Sequence, residues 1–453
     1  MENNRPRLGE DPVYDAKLLG TPRMLVLGLQ HLFAMFGATV LVPLLVSGYG
    51  LPLSVQTTLL FAGIGTLVFH LCSMFKVPAF LGSSFAFLGG FEAVANLDSG
   101  KYATMTGAEK LPYALGGVFA AGLIYLVVAL LFKLVGAKRV MRLFPPIVVG
   151  PIIVLIGLSL APTAIANAST NWPLALLSIA IIIIANIWGK GMVKILPILL
   201  GVFIPYFVYV IYAGATGGLG ELFAGTSSAA AVGLQPFVIA KFDVTSILIM
   251  APIAIATMME HIGDMSAISA TTGRNYLANP GLHRTLLGDG VASLLAGFFG
   301  GPANTTYGEN TGVLALSKVY DPKVVRLAAG FAILLSFSPK FDALIHSIPS
   351  AIIGGVSFVL YGMISAVGVR NIVEHQVDLT KSRNLIIAAV IFVCGLGFTG
   401  GITFNLLGAD ITLTALATAA LAGIILNVIL PGNDYVFHED DPTENPQAPN
   451  LQV

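Results

Sequence analysis

Long apolar runs constrain the fold of this chain more than any other feature. Two of them are "LPYALGGVFAAGLIYLVVALLF" at 111–132 and "WPLALLSIAIIIIANIW" at 172–188. A helix needs about 20 apolar residues to cross a hydrocarbon core of about 30 Å. Only 10% of the 453 residues are charged, whereas soluble domains have about 25%. The sequence therefore predicts an all-α integral membrane protein, because a membrane β-barrel would have shorter, alternating segments.

The apolar pattern predicts fourteen membrane segments. The third and tenth are short, rich in small residues and interrupted. The predicted starts are Met24, Ser54, Pro78, Leu111, Val140, Trp172, Met192, Val244, Arg284, Pro302, Val324, Ile348, Asn384 and Ile411.

The positive charges indicate an orientation. With a cytoplasmic N-terminus, the outer loops contain few of the 23 Lys and Arg residues, namely Lys101, Lys110, Lys241 and Lys340. The other Lys and Arg residues then lie on the cytoplasmic side, and an excess of these residues is typical of cytoplasmic loops. We therefore expect a multi-pass protein of the cell inner (plasma) membrane with both termini in the cytoplasm. Residues 1–23 are interpreted as a polar cytoplasmic segment, and the acidic residues 432–453 as a disordered cytoplasmic tail. The net charge of zero suggests no nucleic-acid partner.

Two distant stretches resemble each other. Residues 57–87 read "TTLLFAGIGTLVFHLCSMFKVPAFLGSSFAF", and residues 284–310 read "RTLLGDGVASLLAGFFGGPANTTYGEN". Both contain Thr-Leu-Leu near the start and later Pro-Ala followed by small polar residues. They occupy segments 2–3 and 9–10, and a shift of seven segments inverts orientation. This pattern predicts a seven-plus-seven inverted repeat, whose paired interrupted segments indicate a transporter's binding site.

The interrupted segments predict two short extended pieces, "PAFLGSSFAF" and "PANTTYGEN", that pair with each other. Extended backbone at membrane depth must be buried in protein or line a cavity. Each piece leads into a half-helix, whose first amides, near Phe85 and Gly308, would donate hydrogen bonds to a ligand. The alternative is that Gly and Ser only allow close helix packing. That alternative does not explain Glu309.

Ionisable residues occur inside two apolar segments. In "APIAIATMMEHIGDMSAIS" (251–269), Glu260 and Asp264 are four residues apart and share a helix face. Such residues at membrane depth are functional by default; the alternative for Asp264 is that the segment ends earlier and Asp264 meets water. His31, in "GLQHLFAMFG", is either a hydrogen-bonded core residue or a support for a buried carboxylate.

These residues favour an ion-driven secondary transporter. Desolvation of a buried Glu favours its protonated form, and a proton that alters the substrate's fit is coupled to substrate binding. The sequence has no phosphate-binding Gly-Lys-Ser/Thr pattern of an ATPase. It also has no nucleophile–base pair or metal-ligand cluster, so we expect neither an enzyme nor a cofactor or metal site. An anion exchanger or channel is the competing hypothesis, but an anion site should contain Arg or Lys rather than carboxylates.

Six motifs carry a family resemblance. They are "QHLFAMFGATVLVP", "PAFLGSSFAF", "EHIGD", "PGLHR", "TTYGEN" and "ENTGVLALSK". Together the motifs, spread over residues 30–431, resemble the nucleobase–ascorbate transporter family, also called nucleobase:cation symporter family 2 (NCS2), and within it the bacterial uracil permeases. The last motif is similar to the family signature, carried here by Glu309, Asn310, Gly312, Ser317 and Lys318.

The resemblance implies a domain organisation. A core domain would comprise residues 24–136 (segments 1–4) and 243–340 (segments 8–11), and a gate domain residues 137–217 (segments 5–7) and 341–431 (segments 12–14). Segments 3 and 10 would contain short antiparallel strands. The resemblance also implies alternating access, and it is the only basis for a homodimer formed through the gate domain.

The resemblance also implies a binding site. Glu260 and Glu309 would bind ring N–H groups of a nucleobase, while the amides of Phe85 and Gly308 would meet its carbonyls, with Phe85 and Tyr307 beside the ring. Carboxylates accept from N–H donors, and amides donate to carbonyl oxygens. Proton coupling or support of the site is assigned to Glu260, Asp264, His31 and Asn310.

Two positions bear on the substrate. Glu309 favours uracil, because the family's purine transporters typically have Gln there. Asp264 instead matches the purine transporters, since the uracil permeases have His at that position. We therefore expect proton symport of uracil, with xanthine, another purine or a broader range of bases as the alternative. The sequence leaves open sodium in place of the proton, the stoichiometry, the affinity and the oligomeric state.

Overall fold

The computed structural model describes residues 9–398, 400–406, 409–432 and 435, and the chain is mostly helical. Short 3₁₀ turns occur at Ala16–Leu19, Phe85–Phe87 and Gly100–Thr104. The helices of the first half are α1 (Thr21–Gly48), α2 (Val55–Cys72), α3 (Leu88–Ala95), α4 (Gly107–Val135), α5 (Ala137–Val140), α6 (Pro146–Ser159), α7 (Ala161–Ala168), α8 (Trp172–Ile187), α9 (Met192–Ile195), α10 (Pro197–Thr216), α11 (Leu219–Leu222) and α12 (Ala224–Ser228).

The second half repeats this helical character. Its helices are α13 (Val244–Met250), α14 (Ile253–Thr272), α15 (Leu282–Phe299), α16 (Glu309–Ser317), α17 (Pro322–Ser336), α18 (Pro339–His346), α19 (Ser350–Glu374), α20 (Ser382–Gly397) and α21 (Ala415–Ile429). The strands are β1 (Leu81–Ser83), β2 (Asn304–Thr306), β3 (Ile402–Leu406) and β4 (Ala409–Leu413). β1 pairs with β2 and β3 with β4, both antiparallel.

Several helices are suited to a bilayer. Among the described residues, seven helices are long and apolar enough to cross a membrane, or eight if the bent pair of α17 and α18 counts as one span. Shorter apolar helices, including α8, α20 and α21, accompany them. The structure therefore has the several apolar helices that the sequence predicts, while fourteen spans remain a prediction.

Most predicted segment starts lie within a few residues of a helix or strand. The start predicted at Ile411 is wrong, because that residue lies in β4 and α21 begins at Ala415. Thr414 sets this boundary, since its side chain accepts a hydrogen bond from the backbone N–H of Ala417 and so caps the first turn. The seventh predicted segment begins with the short helix α9 at Met192 and continues as α10 from Pro197, where proline fits the first helical turn.

Helices α4 and α15 pack backbone to backbone around glycines. A Cβ on Gly122 would lie 2.8 Å from the backbone nitrogen of Leu294. A Cβ on Gly297 would lie 2.8 Å from the backbone nitrogen of Phe119. Small residues allow such close approach between apolar helices. This contact fixes the position of α15, the helix that precedes β2 in the chain.

The N-terminal strap, residues 9–20, lies across the chain that follows α16. Val13 forms a parallel bridge with Val319, and the backbone N–H of Ala16 donates to Asp321 Oδ2 at 2.8 Å. The hydroxyl of Tyr14 donates to the carbonyl oxygen of Thr272 at 2.7 Å, on α14. The polar segment predicted at 1–23 is thus packed on the helices over its described part. The predicted tail at 432–453 lies outside the described residues except at positions 432 and 435.

The chain that follows α3 has a comparable tether. Lys101 Nζ lies 2.7 Å from Asp243 Oδ1, and the hydroxyl of Tyr102 donates to Asp243 Oδ2 at 2.8 Å. Asp243 is the residue before α13. Each half-helix is therefore followed by a segment tied to the start of another helix, α13 in one case and α1 in the other.

Candidate functional site

The two short strands form an arrangement with local two-fold symmetry. Leu81 pairs with Thr306 and Ser83 with Asn304, about the central pair of Gly82 and Thr305. The flanking backbone hydrogen bonds match as well. The N–H of Ser84 donates to the carbonyl of Ala303 at 2.9 Å, and the N–H of Tyr307 donates to the carbonyl of Phe80 at 2.9 Å. The pairing predicted between "PAFLGSSFAF" and "PANTTYGEN" is present.

Each strand leads into a helix through a residue that the sequence singled out. Phe85 begins the 3₁₀ turn that precedes α3, and Gly308 is the N-cap residue of α16. Phe85 stands four residues after Leu81, and Gly308 stands four residues after Asn304. Each strand of the pair thus leads into a helix N-terminus, and helix N-termini offer unpaired N–H groups and the positive end of the helix dipole.

Helix α14 places carboxylates beside the second half-helix. Asp264 is buried, and its Oδ1 lies 3.1 Å from where a Cβ on Gly308 would stand. Glu260 is half-buried one turn earlier on the same helix. Glu309 is the first residue of α16, but its side chain lies outside the described residues. The structure therefore brings Asp264 to Gly308, and the contacts predicted for Glu309 stay a prediction.

The two predicted aromatic residues are buried in different contacts. Phe85 packs edge-on against Tyr361 of α19, with ring centroids 5.8 Å apart. The hydroxyl of Tyr307 donates to the carbonyl of Ser83 at 2.8 Å. A Cβ on Gly82 would lie 2.3 Å from the Tyr307 ring, so glycine is needed there for the ring to pack on β1. These contacts position both rings; whether either touches a substrate stays a prediction.

His31 and Asn310 meet in the interior. The side-chain nitrogen Nδ2 of Asn310 donates to the backbone carbonyl of His31 at 3.1 Å and lies 3.2 Å from His31 Nδ1. Both residues are 1% exposed. The pair ties the first turn of α16 to α1, so the structure supports the interpretation of His31 as a hydrogen-bonded core residue beside the site.

The sequence analysis missed a buried network behind β2. His261 Nδ1 lies 2.8 Å from Asp289 Oδ2, and His261 Nε2 lies 2.9 Å from Thr285 Oγ1. Thr306 Oγ1 is 3.2 Å from His261 Nδ1. His261 and Asp289 are both fully buried. An aspartate inside the apolar run "LLGDGVASLLAG" was the available signal, because buried charges in proteins are paired.

In the described residues, neither a metal-ligand cluster nor a large cavity coincides with the strand pair. Within the part of the chain that the structure describes, no group of three or more His, Cys, Asp or Glu residues could hold a metal ion. A cavity of about 440 Å³ is lined by residues such as Ser54, Gln235, Asp342 and His346. None of its lining residues belongs to the strand pair or to α14, so we do not take the cavity as the site.

Comparisons with known proteins agree with this architecture. A family profile described as a permease family (Xan_ur_permease) matches residues 22–404. The uracil permease of Bacillus caldolyticus is 42% identical over 421 residues, covering 90% of this chain and 92% of the relative. The uracil permease of Bacillus subtilis (strain 168) is 39% identical over 433 residues (89% and 91%). The putative pyrimidine permease RutG of Escherichia coli (strain K12) is 38% identical over 410 residues (89% and 89%).

Solved structures share the fold at low sequence identity. The transmembrane domain of a cyanobacterial bicarbonate transporter, BicA, matches with a TM-score of 0.57 and 16% identity, covering 92% of this chain and 99% of that one. SLC26A9 matches with a TM-score of 0.61 and 12% identity, covering 92% of this chain and 66% of that one. Both are compared for architecture alone, since identities this low do not carry function.

Proposed function

The chain belongs to the permease family (Xan_ur_permease), and from this premise we propose that it imports a nucleobase, uracil first, by proton symport with alternating access. Its named relatives are permeases, and uracil permeases among them are up to 42% identical over about nine-tenths of the chain. The protein is accordingly a multi-pass membrane permease and not an enzyme. The substrate, the coupling ion and the transport cycle are the proposal.

The observation that carries the proposal is a pair of strands that each lead into a helix N-terminus, with a buried carboxylate beside the second of them. Phe85 and Gly308 offer backbone amides. On α14, Asp264 Oδ1 lies 3.1 Å from where a Cβ on Gly308 would stand. Uracil presents alternating N–H donors and carbonyl acceptors around a flat, neutral ring. Amides suit its carbonyl oxygens and carboxylates suit its N–H groups. Glu260 and Glu309 are the carboxylates assigned to the ring N–H groups.

Proton coupling follows from the same carboxylates. Symport requires a carboxylate whose protonation strengthens base binding, so that proton and base are carried together, and this linkage is reciprocal. A protonated carboxyl still accepts from a ring N–H through its carbonyl oxygen. Glu260 is half-buried next to Asp264 on α14, so we assign the coupling proton to Glu260, with Asp264, His31 and Asn310 as support. An inward proton gradient would then drive uptake.

Alternating access requires two bodies that move relative to each other. We propose the core domain at 24–136 and 243–340 and the gate domain at 137–217 and 341–431. The edge-on contact of Phe85 with Tyr361 lies between these proposed domains, at the start of a half-helix. A contact there would be made and broken as the site opens to one side and then to the other.

The inverted repeat and the membrane orientation belong to the same proposal. The matched register of β1 and β2 is what a seven-plus-seven inverted repeat produces where its halves meet. We place both termini in the cytoplasm and the protein in the inner (plasma) membrane, because nearly all Lys and Arg residues then lie inside. A homodimer through the gate domain is proposed from the family resemblance alone.

Asp264 keeps the range of substrates open. Its carboxylate stands where a uracil permease was expected to have His, so xanthine, another purine or several bases are the alternative substrates. An anion substrate is less compatible with the site. The half-helices α3 and α16 contain no Lys or Arg, whereas α16 begins with Glu309, and anion sites are lined by basic residues.

A competition assay in proteoliposomes tests the proposal. Labelled uracil is taken up under an imposed proton gradient in competition with unlabelled uracil, xanthine, adenine and bicarbonate. We expect unlabelled uracil to compete best, bicarbonate not to compete, and a protonophore to abolish accumulation. Uptake that is indifferent to the protonophore would contradict proton symport, and competition by bicarbonate but not by uracil would contradict a nucleobase substrate.

A further inference from the structure

Two hydroxyl groups hold the strands from behind. Thr66 Oγ1 on α2 accepts the backbone N–H of Leu81 at 2.9 Å and lies 3.3 Å from the carbonyl oxygen of the same residue. Ser293 Oγ on α15 accepts the backbone N–H of Asn304 at 3.0 Å and donates to the carbonyl of Asn304 at 2.7 Å. Each hydroxyl therefore lies within hydrogen-bond distance of both the backbone N–H and the carbonyl oxygen of one strand residue.

These hydroxyls occupy matching positions in the two halves of the chain. When Thr58-Leu59-Leu60 is aligned with Thr285-Leu286-Leu287, Thr66 falls on Ser293. The strand residues that they bind match too, because Leu81 and Asn304 each stand four residues before the amide at the start of a half-helix. Both hydroxyl residues are buried, at 0% and 2% exposure. The same arrangement of hydroxyl and strand therefore occurs in both of the stretches that resemble each other.

We propose that Thr66 and Ser293 are paired positioning residues for the nucleobase site. This inference rests on the proposed function. By fixing Leu81 and Asn304, the hydroxyls set how far the Phe85 and Gly308 amides project toward a bound base. The strand pair has only three residue pairs, too few to hold its place without anchors to the surrounding helices, because an isolated two-stranded pair is only marginally stable.

The hydroxyls of Thr66 and Ser293 differ in how strongly they bind their strands. The Thr66 hydroxyl has one proton, and the backbone carbonyl of Ala62 at 2.8 Å competes for it with the more distant carbonyl of Leu81. Ser293 Oγ instead donates to the carbonyl of Asn304 and accepts from the N–H of the same residue. Ser293 also serves the strand that leads to Glu309. Loss of the Ser293 hydroxyl should therefore disturb base binding more than loss of the Thr66 hydroxyl.

The test measures uracil dissociation constants for the full-length protein in detergent. The hydroxyl-deleting variants are Ser293→Ala and Thr66→Val. Thr66→Ser keeps a hydroxyl, and Ser293→Cys keeps a weak donor and acceptor. Matched controls are Thr58→Val and Ser178→Ala, because each of these buried hydroxyls donates to a backbone carbonyl four residues earlier in the chain.

We expect Ser293→Ala to raise the Kd for uracil about tenfold and Thr66→Val about threefold, as loss of one or two buried hydrogen bonds would. Thr66→Ser should restore wild-type affinity, and Ser293→Cys should fall between wild type and Ser293→Ala. The control variants should lower thermal stability to a similar extent yet leave the Kd unchanged. If Ser293→Ala fails to fold, the graded result of Ser293→Cys and Thr66→Val carries the test.

Equal Kd values in wild type, Ser293→Cys and Thr66→Val would overturn the proposal, as would control variants that weaken binding equally. Hydrogen exchange tests the positioning role of Thr66 and Ser293 independently of the proposed function. Thr66→Val should speed exchange across 80–85, and Ser293→Ala across 303–308, whatever the substrate. If wild type binds no nucleobase, the proposed function is contradicted, while unchanged exchange in these variants contradicts the positioning role.

Discussion

The unit of β1 and α3 and the unit of β2 and α16 share a backbone arrangement but differ in side chains. In both, a hydroxyl from the preceding helix holds the strand, and a backbone hydrogen bond of 2.9 Å closes the pair. The first unit carries Phe85 at the entry to its helix. The second carries Gly308 and Glu309 there and is approached by Asp264.

This difference separates the scaffold from its chemistry. The backbone contacts that position two helix N-termini occur twice, whereas, among the described residues, the carboxylate of Asp264 and the buried pair of His261 and Asp289 lie beside the second unit. Behind β1, the side chain of Ser83 donates to the backbone carbonyl of Thr39 at 2.9 Å. At the equivalent place behind β2, Thr306 meets His261 and, through it, Asp289. Substrate and proton specificity should therefore depend on the second unit more than on the first.

The largest expected effect comes from the network behind β2. Asp289→Ala leaves His261 buried without its carboxylate, and breaking a buried pair costs about 3–5 kcal/mol. The matched change behind β1 is His70→Phe, which removes a 2.8 Å hydrogen bond to the carbonyl of Ala79 and should cost about 1–3 kcal/mol. Thermal unfolding in the same detergent measures both. Equal losses of stability in Asp289→Ala and His70→Phe would contradict the greater importance of the network behind β2.

Base binding should depend on the acidic residue of the second half-helix. Glu309→Ala should weaken uracil binding roughly a hundredfold, since it removes a charged hydrogen-bond acceptor. Glu92→Ala is the control, because it removes a carboxylate from α3 that is exposed. Binding is measured by calorimetry. A comparable loss in Glu92→Ala, or none in Glu309→Ala, would remove the reason for placing the base at α16.

The residue beside Gly308 should influence the choice of base. Asp264→His introduces the residue expected in uracil permeases, so inhibition of uracil uptake by xanthine should weaken by about tenfold relative to wild type, which corresponds to one hydrogen bond to a charged group. Asp243→Asn, which alters a carboxylate bound by Lys101 and Tyr102 rather than one beside Gly308, serves as control. An unchanged inhibition profile would show that Asp264 does not contribute to the discrimination between uracil and xanthine.

The smallest effects should come from the tethers at the ends of the two units. Asp321→Ala removes the buried acceptor of the Ala16 N–H and should cost about 1–2 kcal/mol of stability. Asp243→Asn should cost less than about 1 kcal/mol, because Lys101 is 42% exposed and exposed ion pairs are weak. Thermal unfolding tests the order. The reverse order would contradict the view that the strap is the stronger tether.

The weaker tether should also depend on pH. Burial alone would raise the pKa of Asp243, but hydrogen bonds from Lys101 and Tyr102 outweigh it and lower the pKa below 3.8. A lowered carboxyl pKa adds stability above the unfolded value, and this is lost as pH falls through the folded value. The stability gap between wild type and Asp243→Asn should therefore be constant near neutral pH and close below about pH 4.

Sequence reasoning located the strands because its signals there were local. "PAFLGSSFAF" and "PANTTYGEN" combine Pro, Gly and small polar residues within apolar surroundings, and the structure pairs them as strands and places Asp264 beside Gly308. His31 and Asn310 are likewise brought together, although they are 279 residues apart. The sequence singled out His31 as a polar residue in an apolar helix and Asn310 as part of the family signature, but it did not predict their contact.

What the sequence did not reveal depends on partners far along the chain. Asp289 looked like one polar residue in an apolar run, and only the crossing of α14 and α15 shows that it meets His261. The N-terminal strap is a polar stretch without periodicity, and its order comes from hydrogen bonds to residues some 300 positions later. The hairpin of β3 and β4 was missed because its apolar residues resemble the start of a membrane helix.

The most direct test is a structure of the protein with uracil bound. The account predicts the base between the ends of the two strands, with its carbonyl oxygens about 2.7–3.2 Å from the amides of Phe85 and Gly308 and its ring N–H groups on Glu260 and Glu309. A base found instead in the cavity beside Asp342, or a Glu309 carboxylate turned away from the base, would contradict it.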